Sequence, residues 1–443
     1  MIKVIIALLV ILTIFLFVYF YHNPYKKFRP LYVAVLFFGF SFSIALSHQT
    51  YRVVGEDLLP YVHFFTIIIF ALWLMRVNLL LLKPSVDWLF FIPLGIQAIV
   101  SWDQGLITSS SDFLRVALNY LTVAMIVFIA ESKPRFSIKT FLQMFNYIAV
   151  FNGVLSVAQI VTKKSLLIGN ADASILYTEG LVDTFRAVGI AGSNNSAGNL
   201  ACLLFVICLY NLGENFTWLG ASGMVMSVVA ALLAQTRIAF VAMAVAAFIW
   251  FITYKTHSRD TLLVKYIMGT IFVLLALTLL GLEFEKIIQV FFVDRGDTQN
   301  ARFSQYLNAW DFGVRIHPFL GIGMGQWRSY LYNFANLVDI PIHSQYFSVM
   351  VECGVPVFIG FVIFNFDLLK KSLQSLAGNS RLRSFAVAFF AANFIVANFN
   401  PNQIYTVNVV IYYLVISFLA YHEDSLDEQT IISENPANIK YVD

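Results

Sequence analysis

Charge is what this chain has least of. Lys, Arg, Asp and Glu supply 12% of its 443 residues, against 59% hydrophobic. A soluble domain carries roughly twice that charged share, so a water-solvated globule is excluded. Cysteine is almost as scarce. Cys202, Cys208 and Cys353 lie in apolar runs with no C-x-x-C spacing, which argues against a disulfide framework or a thiolate metal site. Walker A, G-x-S-x-G and H-E-x-x-H patterns are all missing, and with them the chemistries those spacings serve. Gly321-Ile-Gly323-Met-Gly325 has the wrong spacing and flanks for a dinucleotide fingerprint. No acidic cluster calls for a metal, no cofactor is expected, and no basic surface supports a nucleic-acid partner.

What is there is apolar sequence in runs of about 20 residues, the length a helix needs to cross a bilayer. Expected spans are 3–21, 31–47, 60–79, 88–101, 113–130, 141–161, 196–212, 216–234, 238–254, 264–282, 345–368, 384–398 and 404–421. The chain therefore reads as an all-α, polytopic transmembrane helix bundle of about 13 spans, with 12–14 possible. Residues 1–421 make a single transmembrane domain, and 422–443 a short, acidic, disordered cytoplasmic tail. Basic residues gather on alternate connections: Lys26, Lys27 and Arg29; Arg76 and Lys83; Lys133, Arg135 and Lys139; Lys255, Arg259 and Lys265; Lys370, Lys371, Arg381 and Arg383. The positive-inside rule puts these on the cytoplasmic side and the N-terminus outside, with Lys3 outvoted. The first span lacks a small-x-small cleavage site and reads as an uncleaved helix.

Two connections are long, 162–195 and 282–344, and both fall on the outer face. Long loops in compact proteins usually carry function. Within the second, Phe303, Tyr306, Leu307, Trp310 and Val314 recur at helical spacing, with Arg302, Gln305, Asn308, Asp311 and Arg315 on the other side. The pattern predicts an amphipathic helix over about 298–315, capped by Asp297 or Thr298, either lying at the membrane surface or packed on top of the bundle.

Ionisable groups near lipid are costly and draw attention to themselves. Arg237 sits in a tight turn, Gln235-Thr236-Arg237, where an arginine can also simply snorkel to headgroups. Arg186 precedes Gly192-Ser193-Asn194-Asn195, a helix start whose backbone N–H groups suit an anion, although ordinary helix starts look the same. Arg302, taken alone, is equally a solvated charge. His343 follows Pro341 at the start of a span and is the side chain best matched to proton transfer near neutral pH. Glu352 lies nine residues on, about half a turn out of phase with His343, so it reads as a brace between helices. The topology brings Arg186, Arg237, Arg302 and His343 to one side of the membrane. Guanidinium forks of this kind suit phosphate oxygens.

At these residues the chain resembles the O-antigen ligase and O-antigen polymerase (Wzy-type) superfamily. The matching elements are Arg302 with Trp310, His317-Pro318-Phe-Leu-Gly321-Ile-Gly323-Met-Gly325, His343-Ser344-Gln345-Tyr346 and Glu352-Cys353-Gly354. Thr236-Arg237, and the stretch from Arg186 through Asn194 to Ala197, match two further elements, so the likeness covers roughly residues 185–365. Ser344 stands where the family usually has asparagine, and thirteen spans exceed the twelve common among ligases.

The resemblance implies a GT-C-like, inverting glycosyltransferase that needs neither metal nor nucleotide, in a bacterial cytoplasmic membrane with its active site on the outer face. Its implied partners are a polyprenyl-diphosphate-linked oligosaccharide, an acceptor glycan or lipid A core, membrane lipids, and a chain-length regulator and flippase beside it. Arg186, Arg237 and Arg302 would bind the diphosphate and His343 would act as catalytic base, supported by Asn194, Tyr346 and Glu352. Polymerisation of O-antigen or capsular repeat units is the expected activity, with ligation to lipid A core as the alternative. A flippase for the same lipid-linked sugars would also need a cationic cavity, but the chain shows none of the inverted repeats of secondary transporters.

Overall fold

The computed structural model describes residues 43–45, 61–76, 85–132, 137–167, 171–179, 182–255, 259, 262–263, 265–267, 269–270, 298–337 and 340–422. The expected span at 3–21, most of those at 31–47 and 264–282, Asp297 and all but the first residue of the tail lie outside them.

In chain order the described elements are β1 (Ser43–Ala45), β2 (Tyr61–His63), α1 (Phe64–Arg76), α2 (Trp88–Asp103), α3 (Ser110–Glu131) and α4 (Ile138–Thr162). They continue with β3 (Leu176–Glu179), β4 (Val182–Phe185), α5 (Asn194–Glu214), α6 (Trp218–Ala234) and α7 (Arg237–Thr253). After these come α8 (Thr298–Asn308), a π-helical turn (Ala309–Val314), α9 (Trp327–Ala335), α10 (Gln345–Cys353), α11 (Val355–Ser375), α12 (Ser380–Phe399) and α13 (Thr406–Ala420). Short antiparallel hairpins, β1 with β2 and β3 with β4, qualify an otherwise helical expectation. Several helices start where a side chain caps an orphan N–H: Ser109 accepts from Asp112 N, Ser137 from Thr140 N, Thr217 from Gly220 N, Ser344 from Phe347 N and Asn379 from Leu382 N.

Helices α3, α4, α5 and α12 are long and apolar enough to cross a membrane. Helix α5 is the axis of the bundle: residues 196–213 are all buried, and α4, α6, α7, α12 and α13 pack around it. On α2, by contrast, Leu89, Ile92, Ile96 and Ile99 are each more than half exposed at successive helical turns. An apolar stripe of that kind on a rim helix belongs against lipid.

Hydrogen bonds define the two ends of the bundle. At one end Lys371 (α11) bridges Asp87 before α2 and Tyr421 after α13, at 3.0 Å each. Glu214 at the end of α5 meets Arg381 of α12 and Tyr254 after α7 at that same end. The opposite end gathers the start of α5, the turn between α6 and α7, the 400–405 turn, the 106–109 connection and the 317–327 loop. This second end carries irregular backbone, together with Arg186 and Arg237.

The span expected at 345–368 is two helices. Gly354 breaks it with φ +85° and ψ 164°, a conformation only glycine adopts readily. The break admits a second strand of backbone: Val355 N donates to Pro318 O at 2.8 Å, Ile322 N to Val351 O at 3.1 Å and Gly323 N to Glu352 O at 3.0 Å. A Cβ on Gly354 would collide with Phe319 O, and one on Gly321 with Glu352 O. The His317–Gly325 motif is thus a clasp closed around the α10–α11 break.

Candidate active site

Irregular backbone at membrane depth must find its hydrogen bonds inside the protein. In this chain buried glutamine amides do much of that work, since one amide both donates and accepts. Gln97 of α2 donates to Leu320 O at 3.0 Å and Glu352 O at 3.1 Å. Gln326 accepts from Thr108 N and Ser109 N at 2.9 and 2.8 Å and donates to Ser109 O at 2.9 Å. Gln159 of α4 accepts from Val188 N and Gly189 N at 3.0 and 2.8 Å, while Asn152 accepts from Ile190 N at 3.0 Å. The segment that carries Arg186 is therefore held from behind by α4.

Arg186 is almost wholly buried. Its Nε donates to Ala234 O at 3.0 Å, and a terminal nitrogen donates to Gln235 O at 3.2 Å and to Asn195 Oδ1 at 3.5 Å. The guanidinium also lies 4.6 Å from the Tyr177 ring centre. A cation on the last carbonyls of a helix is favourable, so Arg186 ties the C-terminus of α6 to the start of α5. It thereby fixes the turn from which Arg237 emerges. Thr236 Oγ1 completes the tie by donating to Asn194 O at 3.1 Å. Arg237, first residue of α7, and Asn194, first residue of α5, are both half-buried here. The Tyr405 hydroxyl sits beside Asn195 and the charge of Arg186.

A second grouping forms where α8 meets the approach to α10. Arg302 and His343 are half-buried. Gln305, which periodicity places on the polar side of α8, is 5% exposed. Its Oε1 accepts from His343 N at 3.1 Å and faces His343 Nδ1 at 3.3 Å, and its Nε2 donates to Ile340 O at 3.1 Å. Tyr306 OH donates to His343 O at 2.8 Å. Burial raises the Tyr306 phenol above its usual range, and the nearby charge of Arg302 opposes that shift. Phe303, Leu307 and Trp310 form an exposed apolar stripe, while Tyr306, Ala309 and Val314 turn inward. The amphipathic segment packs on the bundle by one face and presents apolar groups outward by the other.

The remaining candidates are structural in their contacts. Tyr346 is 8% exposed, with its ring against Phe361 of α11 and Phe394 of α12. The Glu352 carboxylate accepts from Gly325 N at 3.1 Å and Trp327 N at 3.3 Å, locking the 317–327 loop. Arg186 lies between β4 and α5 and Arg237 opens α7, while Arg302 is on α8 and His343 just precedes α10. Helix α12 packs against α5, α7 and α10 alike.

Sequence reasoning passed over the asparagines of the 400–408 stretch. Asn199 Nδ2 donates to Asn402 Oδ1 at 2.7 Å, Asn400 Nδ2 to Asn199 Oδ1 at 2.8 Å and Asn408 Nδ2 to Ser196 O at 3.1 Å. Asn400-Pro-Asn-Gln403 between two apolar helices was the available signal.

Fold and site together describe a helical membrane protein with two polar groupings, Arg186 beside the Arg237 turn and His343 held by the helix that carries Arg302. Residues 222–362, about a third of the chain, match the family model Wzy_C, described as O-antigen ligase. The matched stretch contains Arg237, Arg302, His343 and Glu352; Arg186 and Asn194 precede it. The match bears out the resemblance to the O-antigen ligase and polymerase superfamily and supports a role of that kind, with lipid-linked glycan and acceptor as substrates in general. No curated protein matches the chain.

Proposed function

We propose that the protein is a polymerase joining polyprenyl-diphosphate-linked oligosaccharide repeat units into O-antigen, capsule or a related polysaccharide, at the outer face of a bacterial cytoplasmic membrane. Arg237 and Arg302 hold the diphosphate, and Arg186 adds its charge while fixing the Arg237 turn. The acceptor hydroxyl oxygen attacks the anomeric carbon of the donor from the face opposite the diphosphate. As the new glycosidic bond forms, the bond from carbon to diphosphate oxygen breaks, and the electron pair leaves with polyprenyl diphosphate. His343 takes the hydroxyl proton, and the configuration inverts. The arginines stabilise charge on the leaving group where water is scarce, which is where such contacts act most strongly.

The observation that carries this reading is positional. Arg186 holds the α6–α7 turn from which Arg237 emerges, at the end of the bundle opposite the Lys371 and Glu214 ion pairs, and α8, which carries Arg302, holds His343 through Gln305 and Tyr306. Neither metal nor nucleotide enters the scheme. The chain reads as about 13 spans of GT-C-like character, with 162–195 and 282–344 as outer loops.

Ligation of a finished glycan to lipid A core is the second reading, favoured by the description of the matching family. Purified protein given lipid-diphosphate glycan with EDTA and no nucleotide tests both. Longer lipid-linked glycan identifies a polymerase; transfer only to added lipid A core identifies a ligase; no glycosidic product from either acceptor contradicts the proposal.

A further inference from the structure

We infer that Gln305 is a positioning residue that sets the tautomer of His343 and so makes Nε2 the atom that accepts the proton. The inference rests on His343 being the base of the proposed transfer.

The amide's orientation follows from its backbone partners. A backbone N–H can only donate and a backbone carbonyl can only accept. His343 N lies 3.1 Å from Oε1, and Ile340 O lies 3.1 Å from Nε2. Reversing the amide would set donor against donor and acceptor against acceptor at both contacts. Oε1 therefore faces the imidazole, and an acceptor 3.3 Å from Nδ1 selects the ring form with its hydrogen on Nδ1. The lone pair is then on Nε2.

Burial makes the arrangement firm. Gln305 is 5% exposed, so water competes little for its amide. Helix α8 grips the segment ahead of α10 at Ile340 O, His343 N, His343 Nδ1 and His343 O. Arg302 lies on the same face one turn earlier, since positions three apart share a face. One helix thus carries a candidate diphosphate ligand and the group that orients the base. Docking α8 sets donor and base in register.

In the transfer step Nε2 takes the proton from the acceptor hydroxyl as that oxygen bonds to the anomeric carbon. The imidazolium keeps its Nδ1–H on Gln305 Oε1. Because the orienting group is a neutral amide, the protonated ring gains a dipole and no counter-charge, which favours giving the proton up again. The other ionisable side chains on the packed elements are Arg302, Tyr306, Asp311 and Arg315 on the amphipathic segment, Tyr346, Glu352 and Cys353 on α10, Asp103 on α2, and Asp367, Lys370, Lys371, Arg381 and Arg383 on α11 and α12. Asp311 and Arg315 pair with each other at 3.9 Å, Glu352 is turned to Gly325 and Trp327, and Asp367, Lys371 and Arg381 belong to the ion pairs of the Lys371 and Glu214 end.

The test compares Gln305→Leu, Gln305→Glu and His343→Ala in the purified full-length protein. The substrate is lipid-diphosphate glycan extracted from host cells lacking the protein, and kcat and KM are followed against pH. Gln305→Leu should lose about 10- to 100-fold in kcat with KM near the parent's, the usual cost of misplacing a reacting group. Gln305→Glu should recover part of that loss. It should also move the acidic limb of the pH profile upward by about one unit or more, because a carboxylate beside Nδ1–H favours the charged ring. A parent-like kcat and profile in both Gln305 variants, with His343→Ala inactive, would overturn the inference and leave His343 as base. Equal losses in both variants with an unmoved acidic limb would make Gln305 a packing brace only, which also overturns it. Activity in His343→Ala would instead remove the base assignment itself. Should the leucine variant fail to fold, the acidic limb of Gln305→Glu decides alone.

Discussion

Replacing Glu352 with alanine removes the acceptor for two backbone N–H groups where water does not reach. Glu352 is 6% exposed, and its carboxylate accepts from Gly325 N at 3.1 Å and Trp327 N at 3.3 Å. Each buried donor left without a partner costs about 1–3 kcal/mol, so the variant should lose about 2–6 kcal/mol of stability. Gln97 also donates to Leu320 O and Glu352 O, so the loosened loop would pull on α2. Gln at position 352 keeps one acceptor oxygen and should lose about half as much, about 1–3 kcal/mol. Unfolding by SDS in lipid–detergent mixed micelles, followed by tryptophan fluorescence, measures both values. Two results would refute the reasoning. One is Glu352→Ala unfolding within about 0.5 kcal/mol of the parent, the range of an unremarkable surface change. The other is a Glu352→Gln protein as stable as the parent that loses about a thousandfold or more in kcat, the loss expected when a general acid or base is removed.

The arginines should be intolerant of lysine. If Arg237 and Arg302 clasp a diphosphate through the guanidinium fork, Arg→Lys at either position should lower kcat nearly as far as Arg→Ala, by about two to three decades; full activity in both alanine variants at normal expression would remove the diphosphate assignment. For topology, Asn336→Cys should react with an impermeant thiol reagent in intact cells or spheroplasts while Gln374→Cys should not. Labelling of Gln374→Cys from outside would invert the membrane orientation and put the candidate residues on the wrong face.

What was legible in the sequence was hydropathy and its period. The apolar runs at 113–130, 141–161, 196–212 and 384–398 lie within helices α3, α4, α5 and α12, because runs of that length leave a backbone in lipid no alternative to helix. The break at Gly354 was hidden: residues on both sides are apolar, and what demands it is a clasp from the 317–327 loop, far away in hydrogen-bond terms. The glutamine braces were hidden for a related reason. Their partners are backbone groups, which carry no residue signature, and the bond from Gln97 to Glu352 O spans 255 positions. The burial of Gln305 was hidden because helical periodicity records polarity and not the partner that satisfies it. Arg186 was legible as a cation at a helix junction; its three bonds to Ala234, Gln235 and Asn195 came only with the fold.

In the proposed mechanism His343 draws a proton from an acceptor while a diphosphate departs at the same site. The direct measurement counts polyprenyl diphosphate released and glycosidic bonds formed by the purified full chain and by His343→Ala, alongside the affinity of each for the lipid-linked glycan. One diphosphate should be released per bond formed. His343→Ala should lose about two to four decades in kcat with substrate affinity unchanged, because the base acts on the acceptor and not on the donor's phosphates. Turnover near that of the parent in His343→Ala, or transbilayer movement of the lipid with no glycosidic bond made, would contradict it.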